Sequence, residues 1–151
     1  MPVVVTGADQ PLGRALALAL AERGVPDVRA VVRDRGAAPA LRTAGVRVSV
    51  GDLSDPLRIG AVLEGAHTVV HLDGSDTGGT PGGGPLATWE WLVEAAEGTG
   101  LRRIVTVLPQ GSEPPQNPAY QTVFLPGEIP RPGAAADPAL VAALIEADRR
   151  R

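Results

Sequence analysis

Near its amino terminus the chain reads Val3-Val4-Val5-Thr6-Gly7-Ala8-Asp9-Gln10-Pro11-Leu12-Gly13. This run demands a buried strand, a tight turn and a helix in immediate succession. Three β-branched apolar residues together suit a strand covered on both faces. Gly7 supplies a tight turn, and Pro11 fits the first turn of a helix, where its missing N–H costs nothing. An eleven-residue segment of this kind excludes an all-helical bundle and directs attention to sheets with helical crossovers.

The rest of the chain repeats the alternation. Strands are expected at residues 2–6, 28–32, 46–50, 68–72, 103–108 and 121–125, and helices at 11–23, 38–43, 56–64, 86–97 and from 138 to about 150. Gly24 stops the first helix; Asp55 or Ser54 caps the third, with Pro56 at its first position and Gly65 at its end. Strand and helix in alternation give a doubly wound α/β domain with a parallel sheet of about six strands. At 151 residues the chain is read as one domain spanning 1–151, with no separate substrate lobe. Glycine and proline, 19 and 15 residues, cluster in a few stretches, two of them connections between elements. Residues 74–85 hold no side chain able to anchor a core and are expected to be a mobile loop, and residues 109–118 form a proline-rich link.

In a βαβ nucleotide site, the first glycine of the turn allows the bend and the second lets backbone approach a pyrophosphate. The third lets the helix pack closely on the strand. Gly7 and Gly13 take the first and third places, and the middle one falls to Gln10 or Pro11. Four segments then resemble the extended and atypical short-chain dehydrogenase/reductases, including the NmrA-like and epimerase/dehydratase groups. They are Thr6-Gly7 with Leu12-Gly13-Arg14, the strand ending Val31-Val32-Arg33-Asp34, Gly51-Asp52-Leu53-Ser54-Asp55, and Leu63-Glu64-Gly65-Ala66-His67-Thr68-Val69-Val70-His71-Leu72. The likeness covers about residues 2–108, and Val123 to Ile129 with Pro132-Gly133 extend it to that family's sixth strand and loop.

The resemblance implies a Rossmann-type fold and a dinucleotide crevice. In it Thr6, Gly7, Gln10, Leu12 and Gly13 would surround the pyrophosphate, Asp52 and Leu53 would meet the adenine, and Leu72, Asp73 and Gly74 would line the nicotinamide-side ribose. NAD-preferring members carry an acid at the end of the second strand to hold the ribose diol. Here Arg33 stands there; a guanidinium suits a 2′-phosphate, and Arg35 and Arg14 are expected to assist it. The cofactor expected is NADP(H) rather than NAD(H), unless the crevice holds none.

Departures from the family concern catalysis. Its chemistry rests on a tyrosine followed four residues later by a lysine that lowers the tyrosine pKa, and this chain contains no lysine. The helix that would carry the pair has no room between the fifth and sixth strands. Tyr120, Asp73 and Glu128 are the remaining candidate acids and bases. Tyr120 has the plainer reading of capping the sheet edge, and the two carboxylates that of ordinary loop residues. His67 and His71 fall on a helix end and a strand, not one helical face, which disfavours a metal pair. His71 is expected to pack or hydrogen-bond. Trp89 and Trp91, about 200° apart on a helix, cannot both face the core.

A net charge of −3 draws the chain toward neither nucleic acid nor an anionic membrane. Cysteine is absent, which excludes disulfides and thiol nucleophiles. With no basic leader and no apolar run of about 20 residues, a cytoplasmic location is expected. Three functions stay open: a cofactor-binding or sensing module that meets a protein partner, an enzyme, or a structural subunit with a vestigial site. The enzyme would be a reductase, or an isomerase, cyclase or lyase reusing the crevice for a small-molecule ligand. A homo-oligomer is compatible with each.

Overall fold

A computed structural model describes residues 2–51, 53–72, 88–108, 120–126 and 138–149. Six strands form one sheet: β1 (Val3–Thr6), β2 (Val28–Val32), β3 (Arg47–Val50), β4 (Thr68–His71), β5 (Arg103–Leu108) and β6 (Gln121–Pro126). Five α-helices accompany them: α1 (Pro11–Glu22), α2 (Ala38–Thr43), α3 (Pro56–Leu63), α4 (Trp89–Ala96) and α5 (Pro138–Arg149). The sheet order is β3-β2-β1-β4-β5-β6 and every pairing is parallel. This is the doubly wound arrangement, with its topological switch between β1 and β4, where such sheets bind ligands outside their carboxyl ends.

Alternation along β1 explains the two layers. Val3 and Val5 enter one apolar cluster with Leu12, Leu16 and Leu20 of α1, Leu41 of α2 and Leu144 of α5. Val4 points the other way, into a second cluster with Ile59 and Leu63 of α3 and with Trp89 and Leu92 of α4. Both faces of the central strands are therefore covered, which is why these strands read as unbroken apolar runs.

Local chemistry sets the element ends. Asp55 caps α3 by accepting from the Arg58 amide at 3.3 Å, and Pro56 follows at the first helical position. The two tryptophans divide as their spacing requires: Trp89 is 6% exposed and Trp91 44%. Among the described residues no helix is long and apolar enough to cross a membrane. The segments 74–85 and 109–118, expected as loops, lie outside the described residues.

Candidate dinucleotide site

The carboxyl ends of β1, β2 and β4 converge on the turn between β1 and α1. Gly7 has a φ of 67°, a left-handed conformation open to glycine at no steric cost. Gly13 is required for a different reason: a Cβ there would fall on the Gly7 carbonyl oxygen and within 2.9 Å of Ala8 Cα. The helix thus rests directly on the turn. Gln10, at the place of the middle glycine, has φ −92° and ψ 158°. That is ordinary extended backbone, so the turn does not need a glycine there.

The first amides of α1 are the chemically open part of the turn. Pro11 has no N–H, and among the described residues neither the Leu12 nor the Gly13 amide finds an acceptor. Two unpaired N–H groups at the amino end of a twelve-residue helix, backed by its dipole, fit a diphosphate. The Leu12 side chain is wholly buried, so only its backbone serves this purpose.

Asp9, which sequence reasoning passed over, ties the turn to the second strand. Its Oδ2 accepts from the amides of Arg33 at 2.9 Å and Asp34 at 3.0 Å, and the Ala8 amide donates to the Val31 carbonyl at 3.2 Å. The available signal was an aspartate inside a turn, a residue type suited to accepting backbone N–H groups. Asp34 accepts in turn from the Gly36 amide at 2.9 Å, bending the chain into a short 3₁₀ turn over Arg35–Ala37. Arg33 is thereby fixed, half-buried, at the end of β2, with exposed Arg35 two residues further on. Arg14 donates to the Asp9 carbonyl at 3.4 Å.

Beneath the crevice lies a buried polar row. Thr6, His71 and Thr106, from β1, β4 and β5, are each fully excluded from solvent. Thr6 Oγ1 accepts from the Leu72 amide at 2.9 Å and meets His71 Nδ1 at 2.9 Å. His71 Nε2 meets Thr88 Oγ1 at 2.9 Å, and Thr106 Oγ1 donates to the His71 carbonyl at 2.6 Å. Both ring nitrogens of His71 are thus partnered, as a buried imidazole requires. Its ring stands edge-on to Trp89, centroids 6.2 Å apart, and Trp89 in turn packs on Phe124 at 5.8 Å. His71 hydrogen-bonds and packs, as its position implied; Thr88 and Thr106 carried no sequence signal of this role.

The structure brings together Thr6, Gly7, Gln10, Leu12, Gly13, Arg33, Leu53 and Leu72 at one edge of the sheet. Leu53 and Leu72 are each 1% exposed, so their side chains belong to the core and only their backbone is left to border the crevice. The Leu72 amide is already committed to Thr6. Asp52, Asp73, Gly74 and Glu128 lie outside the described residues.

Tyr120 does not join the group. It directly precedes β6, which runs parallel to the other strands, and so occupies the amino-terminal edge, opposite the crevice. Burial, and secondarily the charge of Glu97, push its phenol pKa up, the wrong direction for a tyrosine that must shed a proton readily. Its packing against the α3 and α4 cluster accords with a residue that closes the sheet edge.

Comparison with known proteins agrees with this geometry. A family model described as NAD(P)H-binding matches residues 7–143. Triphenylmethane reductase of Citrobacter sp., solved in complex with NADP(H), is 26% identical, with a TM-score of 0.58 over 72% of this chain and 38% of that one. ChuY, an anaerobilin reductase of Escherichia coli O157:H7, is 26% identical with a TM-score of 0.58, over 75% of this chain and 53% of its own. The Arabidopsis thaliana protein High Chlorophyll Fluorescence Phenotype 244, chloroplastic, is 36% identical over 109 residues, 68% of this chain and 26% of that protein. The chain thus spans between about a quarter and about half of these relatives' lengths. With an all-parallel sheet, a glycine turn that leaves helix amides open, and a family match over most of its length, the chain belongs to the NAD(P)H-binding family.

Proposed function

We propose that this chain is an NADP(H)-preferring cofactor-binding module of the atypical short-chain dehydrogenase/reductase type, working as a sensor without the usual Tyr–Lys redox pair. The observation that carries it is the pairing of two unsatisfied helix amides, at Leu12 and Gly13, with Arg33 fixed at the end of β2. The amides take the diphosphate and the arginine takes the 2′-phosphate, with Arg14 and Arg35 adding positive charge at the rim. Asp52 and Leu53 are assigned to the adenine, and Asp73 and Gly74 to the second ribose. A bound nicotinamide supplies hydride chemistry; this chain's residues bind and orient the cofactor. With no lysine in the sequence and Tyr120 at the opposite edge, the chain offers no standard Tyr–Lys general acid to protonate a substrate that accepts the hydride.

The reductase neighbours favour one further reading. This chain would then be the dinucleotide part of an NADPH-dependent reductase, with Asp73 or Glu128 as acid or base. Titration with NADPH and NADH, followed by Trp89 and Trp91 fluorescence, tests the first reading. NADPH is expected to bind more tightly, and Arg33→Ala to erase about tenfold or more of that preference while leaving NADH affinity unchanged. Equal affinities in the wild type, or no saturation by either nucleotide, defeat it. NADPH consumption that Asp73→Asn or Glu128→Gln abolishes supports the second.

A further inference from the structure

A second cavity, of about 480 Å³, opens on the α3 face beside the edge strand β3. Its walls include Arg29 of β2, Arg47 and Ser49 of β3, and Arg58, Ala61 and Val62 of α3. Arg29 and Arg47 are direct partners in the β2–β3 register, so two like charges stand side by side, an arrangement that repels unless answered. Asp27 answers both. Its carboxylate accepts from Arg29 Nη2 at 2.7 Å and Nε at 3.2 Å, and from Arg47 Nη1 at 3.0 Å. It does so from a left-handed backbone, φ 55°, which a residue with a Cβ rarely adopts. Arg29 also donates to the carbonyls of Val62 at 2.8 Å and Glu64 at 2.7 Å. With four of its five N–H donors engaged, it acts as wall.

The other donors are not used up. Arg47 is 72% exposed on its side chain and binds Asp27 through Nη1 alone. Arg58 is anchored through Nη1 to the Val50 carbonyl at 2.6 Å and approaches Asp55 at 3.7 Å through Nε, leaving Nη2. Its stem lies against Gly51, where a Cβ would stand 2.5 Å from Arg58 Cδ. Half-buried Ser49, on the same face of β3 as Arg47, lines the cavity, and among the described residues its hydroxyl has no hydrogen-bond partner. Asp27 and Asp55 are not among the lining residues, and the lining itself counts Arg29, Arg47 and Arg58 against Glu64 alone.

We propose that this cavity binds a small organic dianion, with one oxyanion at Arg47, the other at Arg58, Ser49 Oγ–H donating between them, and a short carbon chain against Ala61 and Val62. Three residues of strand separate Arg47 from the carbonyl that anchors Arg58, roughly 10 Å of rise. Two long side chains can close on a short molecule carrying an anionic group at each end, whereas a single anion reaches only one guanidinium. Dicarboxylates and phosphorylated carboxylates share this chemistry, and the volume is of the order of known small-molecule sites.

The test uses the full chain saturated with NADPH, its backbone amides followed by NMR, with acetate as a single-anion control and two probes that carry an anionic group at each end: 2-oxoglutarate, a dicarboxylate dianion, and 3-phosphoglycerate, whose phosphate brings up to one further charge. Saturable shifts are expected at β3 and the first turn of α3, with at least one dianion about tenfold or more tighter than acetate. Arg47→Ala and Arg58→Gln, the latter keeping the stem against Gly51, should each weaken that probe about tenfold. A preference between the two dianions identifies which end group the site reads. The proposal is overturned if neither dianion saturates below about 10 mM, if binding survives both substitutions, or if the shifts fall instead at the β1–α1 turn.

Discussion

Replacing Thr6 by valine isolates the energetic role of the buried row under the crevice. Threonine and valine have nearly the same shape, so the change opens no cavity and removes only the hydroxyl. That hydroxyl serves the Leu72 amide at 2.9 Å and His71 Nδ1 at 2.9 Å, and Thr6 and His71 are fully buried. Stranding a buried polar group costs about 1–3 kcal/mol; with two groups affected, Thr6→Val should cost about 3 kcal/mol. For a domain of this size that lowers Tm by roughly 6–12 °C. Urea unfolding followed by circular dichroism measures it, with an unchanged m-value expected because the native fold persists. Thr6→Ser keeps the hydroxyl and should lose only about 1 kcal/mol. Combining Thr6→Val with His71→Leu should cost less than the sum of the two by about 1 kcal/mol or more, since both changes break the same contact. A Thr6→Val variant within about 0.5 kcal/mol of wild type, or one no more destabilised than Thr6→Ser, refutes the account.

Gly13→Ala forces a methyl onto the Gly7 carbonyl; it should destabilise by about 1–3 kcal/mol and abolish NADPH-dependent quenching of tryptophan fluorescence in protein that is still folded. Gln10→Gly relieves no strain at φ −92°, so Tm should fall by the equivalent of up to about 1 kcal/mol while NADPH binding tightens; a simultaneous loss of affinity would mean that the Gln10 side chain is itself a ligand. Asp27 is held below its ordinary 3.8 by hydrogen bonds from Arg29 first and then Arg47, against opposing burial. Its stabilising contribution is therefore complete above that value and disappears as pH falls through the lower, folded one. Asp27→Asn, which tolerates the left-handed backbone, should flatten this acid limb in a series of urea midpoints against pH, and an unaltered limb would show that other carboxylates set it.

How much of this molecule could be read from its residues depends on the range of the interactions concerned. Asp55 and Pro56 mark the start of α3 because a cap acts over three residues, and the alternation of Val3, Val4 and Val5 between two clusters follows from the period of a strand. Helix geometry alone set Trp89 and Trp91 on opposite sides. The glycine turn was legible for the same reason, since Gly7 and Gly13 meet within seven residues. His71 was different: its partners Thr6 and Thr88 lie 65 and 17 residues away, and a hydroxyl facing an imidazole leaves no periodic trace. The cavity beside β3 required the β2–β3 register, which pairs Arg29 with Arg47; no spacing in either strand announces it. Tyr120 was legible in part, since sheet-edge capping was the plainer of its two readings. Its residue type suggested an acid, but where it stands depends on which end of β6 it occupies, and that end faces away from the crevice.

The strand order carries a consequence for how the protein is made. β1 lies at the middle of the sheet, and β2 then β3 are added on one side of it, β4 through β6 on the other. Each strand emerging from the ribosome therefore finds its neighbour already synthesised, and no later segment has to slot between two earlier ones; at the switch from β3 to β4 growth simply moves to the free edge of β1. Vectorial synthesis and spatial assembly run in step, with the amino-terminal βαβ unit as the template onto which the remainder is laid.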